Sequence, residues 1–329
     1  MPKQSKFLNV THSPPFHKET TVIILILITS LCLRLYHLGF HDLWCDEVYS
    51  VKYAVYPWDN WNAPLYWVLL HFWIKIFGIS EFSLRLPSLI FSFLSVIATY
   101  LLGKTLFNRK VGIWAGIFIA LSPFHLWYAQ EVRDYSMVLF LGLLSSYLLF
   151  KALTEENLKL KILFVIISLA GFYTNYFYIF LILTQCLFVI SFKKTKLSLK
   201  DIMPFLLVML GVSAYLSKLF SKFYFVWGGF WLHKPTLKSL LITFENFFLG
   251  YNMQPPFYFI IDILIAALFI FTIIELKNKK ASQSFIFCLF LILPIALELF
   301  GMFQNVIGNK SSRNSDESLS GQWYSLETY

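Results

Sequence analysis

Charge is scarce in this sequence: Asp, Glu, Lys and Arg make up 14% of its 329 residues, against about 25% in soluble domains. With 58% hydrophobic and 19% aromatic residues, that deficit excludes a soluble globular core. Cysteine is nearly missing too. Of the four, Cys32, Cys186 and Cys288 fall inside apolar runs as small hydrophobes, and only Cys45 sits in a polar loop, so no disulfide framework is implied. There is no glycine-rich loop to cradle phosphate, no His/Cys spacing of a zinc site, and no defensible Ser–His–Asp pattern. The residues thus name no metal or cofactor, and whether a divalent cation assists stays open. Acidic residues are the rarer sign, 18 against 27 basic, for a net charge of +9. The basic residues form short clusters between apolar runs, which marks membrane topology and not nucleic-acid binding.

Apolar runs dominate what is present. They cover residues 21–38, 86–107, 111–128, 135–153, 162–173, 175–192, 202–220, 257–275 and 284–303, or about nine spans. The basic clusters (Lys3, Lys6 and Lys18, then residues 104–110, 151–161, 193–200 and 277–280) then all fall on the cytoplasmic side, as the positive-inside rule requires. The basic N-terminus followed by an apolar run imitates a signal peptide. Residues 37–46 hold no small-x-small cleavage site, so the first run reads as an uncleaved span. Residues 1–303 form the membrane domain. Residues 304–329 are polar and Ser-rich, with the composition of a disordered tail.

One apolar segment does not span in this scheme. Residues 64–78 are helical in period but only about 15 long, and they carry His71 and Lys75. As a span they would move most basic clusters outside, so they read as a helix in the outer interface. Residues 39–63, 124–134 and 221–256 then face outward together. The fold expected is an all-α integral membrane protein, a multi-span helical bundle with interfacial helices on the outer face.

Two polar clusters lie on that face. Leu43–Ser50 carries the adjacent carboxylates Asp46 and Glu47 ahead of an amphipathic stretch. One such group can accept a proton while its neighbour orients a partner; the plainer reading is an Asp N-cap of an interfacial helix. Tyr128–Ser136 packs Glu131, Arg133, Asp134 and Tyr135 at the mouth of two spans. Arginine's planar fork suits phosphate or carboxylate, and the alternative is a salt-bridged loop joining helix ends. Arg85 opens a span on the outer side against the positive-inside trend, where it either snorkels or pairs with an anion. Asn62 precedes Pro64, which alone explains a helix start; Asn62 is a weak ligand for an acceptor or sugar. His71, on an apolar helix, reads as a satisfied structural residue. Gly112-x-x-x-Gly116 fits close helix packing. Trp231, in the long outer loop beside His233 and Lys234, is either a belt residue or a sugar-stacking face.

Taken in order, these pieces resemble the GT-C glycosyltransferases that use polyprenyl-phosphate sugars, including protein O-mannosyltransferases and aminoarabinose transferases of lipid A. The likeness rests on LWCDEVYS, then NAPLYWVLLHFWIKIFGISEFSLRLPS, then LFNRKVGIWAGIFIALSPFHLWYAQEVRDYS, and continues more weakly through FYTNYFYIF and FWLHKPTL. It implies a sugar moved from a lipid-phosphate donor to a lipid, glycan or protein hydroxyl on the non-cytoplasmic face of the cell membrane. It assigns Asp46 and Glu47 to catalysis, and Arg85, Glu131, Arg133 and Tyr135 to the donor phosphate. Asp134 is a further contact for acceptor or sugar. Two departures stand out. Asn175 occupies a position where the family often has His, and relatives usually continue through more spans to an RY-type motif. The expectation is therefore of a chain shortened relative to its relatives. Two other readings compete with an active transferase: an inactive relative, and a transporter or lipid-binding protein. Transporters place charges at the midplane and show repeats; here the charges sit at span ends and no repeat is visible.

Overall fold

In the computed structural model the described residues are 16–57, 63–193, 197–226 and 263. Ten helices occur among them, and no strand: α1 (Phe16–Leu35), α2 (Cys45–Val55), α3 (Leu65–Phe77), α4 (Glu81–Leu106), α5 (Arg109–Leu121), α6 (Pro123–Ala129), α7 (Tyr135–Glu155), α8 (Leu158–Thr174), α9 (Tyr178–Lys193) and α10 (Leu199–Val226). Asn62, Trp231, the runs at 257–275 (residue 263 apart) and 284–303, and the tail at 304–329 lie outside the described residues.

The central element is α4, which packs against α1, α3, α5, α6 and α7. Its 26 residues make a rod about 39 Å long, enough to cross a bilayer. Ser80 caps its start, the hydroxyl accepting from the Ser83 N–H at 3.3 Å. Pro87 lies inside this helix and has no N–H, so the Ser83 carbonyl loses its helical donor. The Trp73 indole N–H of α3 takes that place at 2.9 Å. A proline thus docks the short helix 65–77 against the long one. Where α4 meets α5, a Cβ on Gly112 would lie 2.7 Å from the Tyr100 carbonyl oxygen. The glycine is what lets the two backbones approach.

The run read as one span at 111–128 is two helices, α5 and α6, bent by 60°. The cause is local. Pro123 pushes Ser122 into extended backbone (φ −60°, ψ 119°), and Ser122 then caps α6 through its hydroxyl, which accepts from the His125 N–H at 3.3 Å. Among the described residues two helices, α4 and α7, are long and apolar enough to cross a membrane, or three if the bent pair counts as one span. Residues 221–226, expected in the outer loop, continue α10.

Helix direction separates the polar groups into two ends. At one end, Glu19 of α1 accepts from Tyr100 Oη (3.0 Å) and Arg109 Nη1 (2.9 Å), and Lys161 of α8 pairs with Asp201 of α10 at 3.7 Å. The C-terminus of α1 and the N-termini of α4 and α7 lie at the other end. There the two acidic clusters meet.

Candidate functional site

The site is built from three pieces of chain: the turn into α2, the first turns of α4, and the loop 130–134 between α6 and α7. Asp46 and Glu47 lie in the first turn of α2, where negative charge is favoured by the helix dipole. The N-cap is Trp44 and not Asp46; Glu47 at the third helical position accepts from the Trp44 N–H at 3.3 Å. In a helix, adjacent side chains diverge by about 100°, and the two carboxylates meet different fates.

Glu47 is completely buried. Its Oε1 accepts from Arg85 Nε (2.9 Å) and from the Val132 N–H (2.9 Å), and its Oε2 from Arg85 Nη2 (2.8 Å). Arg85 spends its remaining donors on the carbonyls of Leu38 (3.0 Å), His41 (2.8 Å) and Asp42 (3.2 Å). A bidentate pair with every proton placed satisfies both ions internally. It ties the loop after α1, the start of α2, the start of α4 and the loop 130–134 into one unit. One turn further along α4, the Ser88 hydroxyl donates to the Arg133 carbonyl at 3.0 Å and lies 3.1 Å from Tyr66 Oη of α3. The backbone of the loop is thereby held from two sides.

Asp46 stays open, with its side chain 44% exposed. Its charged neighbour is Arg133, whose Nη1 lies 3.6 Å from Oδ2. Arg133 donates from Nη2 to Tyr135 Oη at 3.0 Å, and its guanidinium stands 5.2 Å from the Tyr135 ring centre. Its Nε–H is buried without a hydrogen-bond partner, a donor that protein interiors seldom leave unused. Asp134 is buried, and its Oδ2 accepts from the Asn175 amide at 2.9 Å, which anchors the α8–α9 turn. Burial pushes its carboxyl up, opposed by the Asn175 hydrogen bond.

Glu131 is nearly buried and accepts from the Trp127 indole N–H at 2.6 Å. Burial first, against that hydrogen bond and with Glu47 adding like charge, pushes its carboxyl from 4.5 up to about 7. The folded protein therefore holds a proton that the unfolded chain has lost once pH exceeds 4.5. Stability falls as pH rises from about 4.5 to about 7. Glu131→Gln, neutral throughout, is expected to flatten that decline in a thermal-unfolding series between pH 4 and 8. An unchanged slope would place the titrating group elsewhere.

The sequence reading missed Arg34 and His125, which form a second buried polar cluster beneath the site. An arginine near the end of an apolar run looks like an ordinary snorkelling charge, and its partners outside its own helix lie 58 to 91 positions away. His71 is satisfied by the Ala54 carbonyl, with Nδ1 at 2.7 Å. Among the described residues, no group of three or more His, Cys, Asp or Glu is arranged to hold a metal ion.

No curated protein matches the chain in a sequence comparison. Residues 62–220 match the model of the dolichyl-phosphate-mannose-protein mannosyltransferase family. The match takes in Arg85, Glu131, Arg133, Asp134 and Tyr135 and begins after the Asp46–Glu47 pair. With the apolar helices, the match points to a membrane protein of glycosyltransferase kind. Over residues 62–220, just under half of its length, the chain is similar to the dolichyl-phosphate-mannose-protein mannosyltransferase family.

Proposed function

We propose that the chain transfers a sugar from a polyprenyl-phosphate carrier to an acceptor hydroxyl, at the non-cytoplasmic surface of the cell membrane. One observation carries the reading: of two acid–base pairs packed side by side, one is buried and saturated, while the other, Asp46–Arg133, is open and incompletely bonded. The closed pair builds the site and the open pair is available to substrate.

In the proposed step Asp46 takes the proton of the acceptor hydroxyl. The hydroxyl oxygen bonds to the anomeric carbon, the carbon–oxygen bond to phosphate breaks, and its electron pair leaves with the lipid phosphate. Negative charge grows on the phosphate as it departs, and in this reading Arg133, its plane set by Tyr135, stabilises that charge. Arg85, expected to share this work, has all five donors engaged and contributes by holding Glu47. A site at the helix ends suits such a donor, because the prenyl chain can remain in the bilayer while the sugar phosphate reaches the surface.

The test uses the purified full chain in lipid nanodiscs with a panel of radiolabelled polyprenyl-phosphate sugars. Release of lipid phosphate with transfer of label is expected for one sugar. Arg133→Met should weaken it, in rate and donor affinity, by the roughly 1.5–3 kcal/mol of a charged hydrogen bond. A silent panel, with a longer family member active in the same assay, overturns the catalytic reading in favour of a non-enzymatic lipid-binding protein.

A further inference from the structure

The break between α5 and α6 leaves the last carbonyls of α5 without helical donors, at the point where the chain turns toward the site. Arg34, completely buried near the end of α1, supplies them. Its Nη1 donates to the Ala120 carbonyl at 3.2 Å and its Nη2 to the Ile119 carbonyl at 3.4 Å. The same guanidinium donates from Nε to Ser92 Oγ of α4 (2.7 Å) and from Nη1 to Ser30 Oγ (2.6 Å). Its Nη2 lies 2.7 Å from His125 Nδ1. A cation at that distance needs a lone pair, so Nδ1 is the acceptor and the imidazole proton sits on Nε2, facing Ser92 Oγ at 3.4 Å. No carboxylate takes part. A buried arginine whose partners are carbonyls, hydroxyls and a neutral imidazole is costly to place, and here every contact outside its own helix falls on the bend or on α4 beside it.

The bend leads directly into the site. Gln130, one residue past α6, donates through Nε2 to the carbonyls of Arg34 (3.1 Å) and Tyr36 (2.7 Å). The next residue is Glu131, then Val132, whose N–H holds Glu47. We infer that Arg34 is a positioning residue: it replaces the backbone hydrogen bonds lost at the α5–α6 break and, through Gln130, sets the depth at which the loop 130–134 presents Glu131 and Arg133. Its importance for transfer rests on the function proposed above; its hold on the loop does not.

The protonated-carboxyl infrared band, assigned to Glu131 by its loss in Glu131→Gln, reads that depth without any turnover. The groups facing Glu131 are Trp127 on α6, Asp46 and Glu47 on α2, Arg85 on α4, Tyr135 on α7, and Arg133 on its own loop. In the parent the band is expected to titrate well above the ordinary carboxylate value, near 7. Arg34→Lys keeps the charge but not the fork, and Gln130→Leu cuts the tether while leaving Arg34 intact. Both should admit water and move the midpoint toward the ordinary carboxylate value of 4.5. The same variants should lower the turnover of folded protein more than they raise the donor KM. A midpoint that stays near 7 in both variants, whether or not folded yield falls, would assign Arg34 a merely structural role and overturn the inference. If the midpoint moves but the parent transfers no sugar, the positioning stands and the proposed activity fails.

Discussion

Asp46→Asn is expected to lower the rate of sugar transfer by about 10²–10⁴-fold, the range of a lost general base, with folded yield and melting temperature unchanged. The substitution is nearly isosteric, and the side chain it alters is 44% exposed. Its ionic partner, Arg133, lies 3.6 Å away, beyond direct hydrogen-bond distance, and surface ion pairs of this kind contribute about 0–1 kcal/mol. No buried group loses a hydrogen bond. The asparagine cannot take the acceptor's proton, so the loss should appear in kcat while donor binding, measured by equilibrium dialysis of the labelled carrier, stays within about threefold of the parent. Full transfer by Asp46→Asn would remove Asp46 from the mechanism. A transporter or a lipid-binding protein would show no effect in either measurement.

Arg85→Ala should fail in the opposite way. Arg85 and Glu47 are buried in each other's company, and removing one partner of such a pair costs about 3–5 kcal/mol because it strands the other's charge. Here three carbonyls, of Leu38, His41 and Asp42, lose their donor as well. The expected result is a large fall in melting temperature or in folded yield, with activity per folded molecule reduced because the loop 130–134 is no longer held. Removing both ions, as Arg85→Met with Glu47→Leu, should recover part of the stability, since no charge is then stranded. A double variant as unstable as the sum of its parts would mean the pair is not coupled. The contrast with Asp46→Asn separates two carboxylates that are adjacent in the chain.

That separation marks the limit of what could be read from the residues. The two clusters at 43–50 and 128–136 were legible as candidates because acidic residues beside apolar runs are costly to place. Their meeting was an inference from topology, and the hydrogen bond from Val132 to Glu47 makes it a contact. Which carboxylate would be open was not legible, since it depends on where Arg85 reaches from 38 positions away. The Pro123 bend was misread as a continuous span because hydropathy is blind to a backbone break. The proline itself was visible, as were Ser122 before it and the unabsorbed arginine at 34.

Composition and periodicity by themselves determined that this chain is helical and lodged in a membrane, because burial of apolar surface is additive along the sequence and needs no partner to be named. They also located the polar residues too expensive to be incidental. Tertiary structure alone decided the division of labour: Glu47 with Arg85 as the closed pair, Asp46 with Arg133 as the open one, and Arg34 at the bend. The reason is physical. Hydrogen bonds and ion pairs are short and directional, so a side chain's role follows from which atoms come within about 3 Å of it. Only the meeting of α1, α2, α4, α6 and the loop 130–134 brings those atoms together.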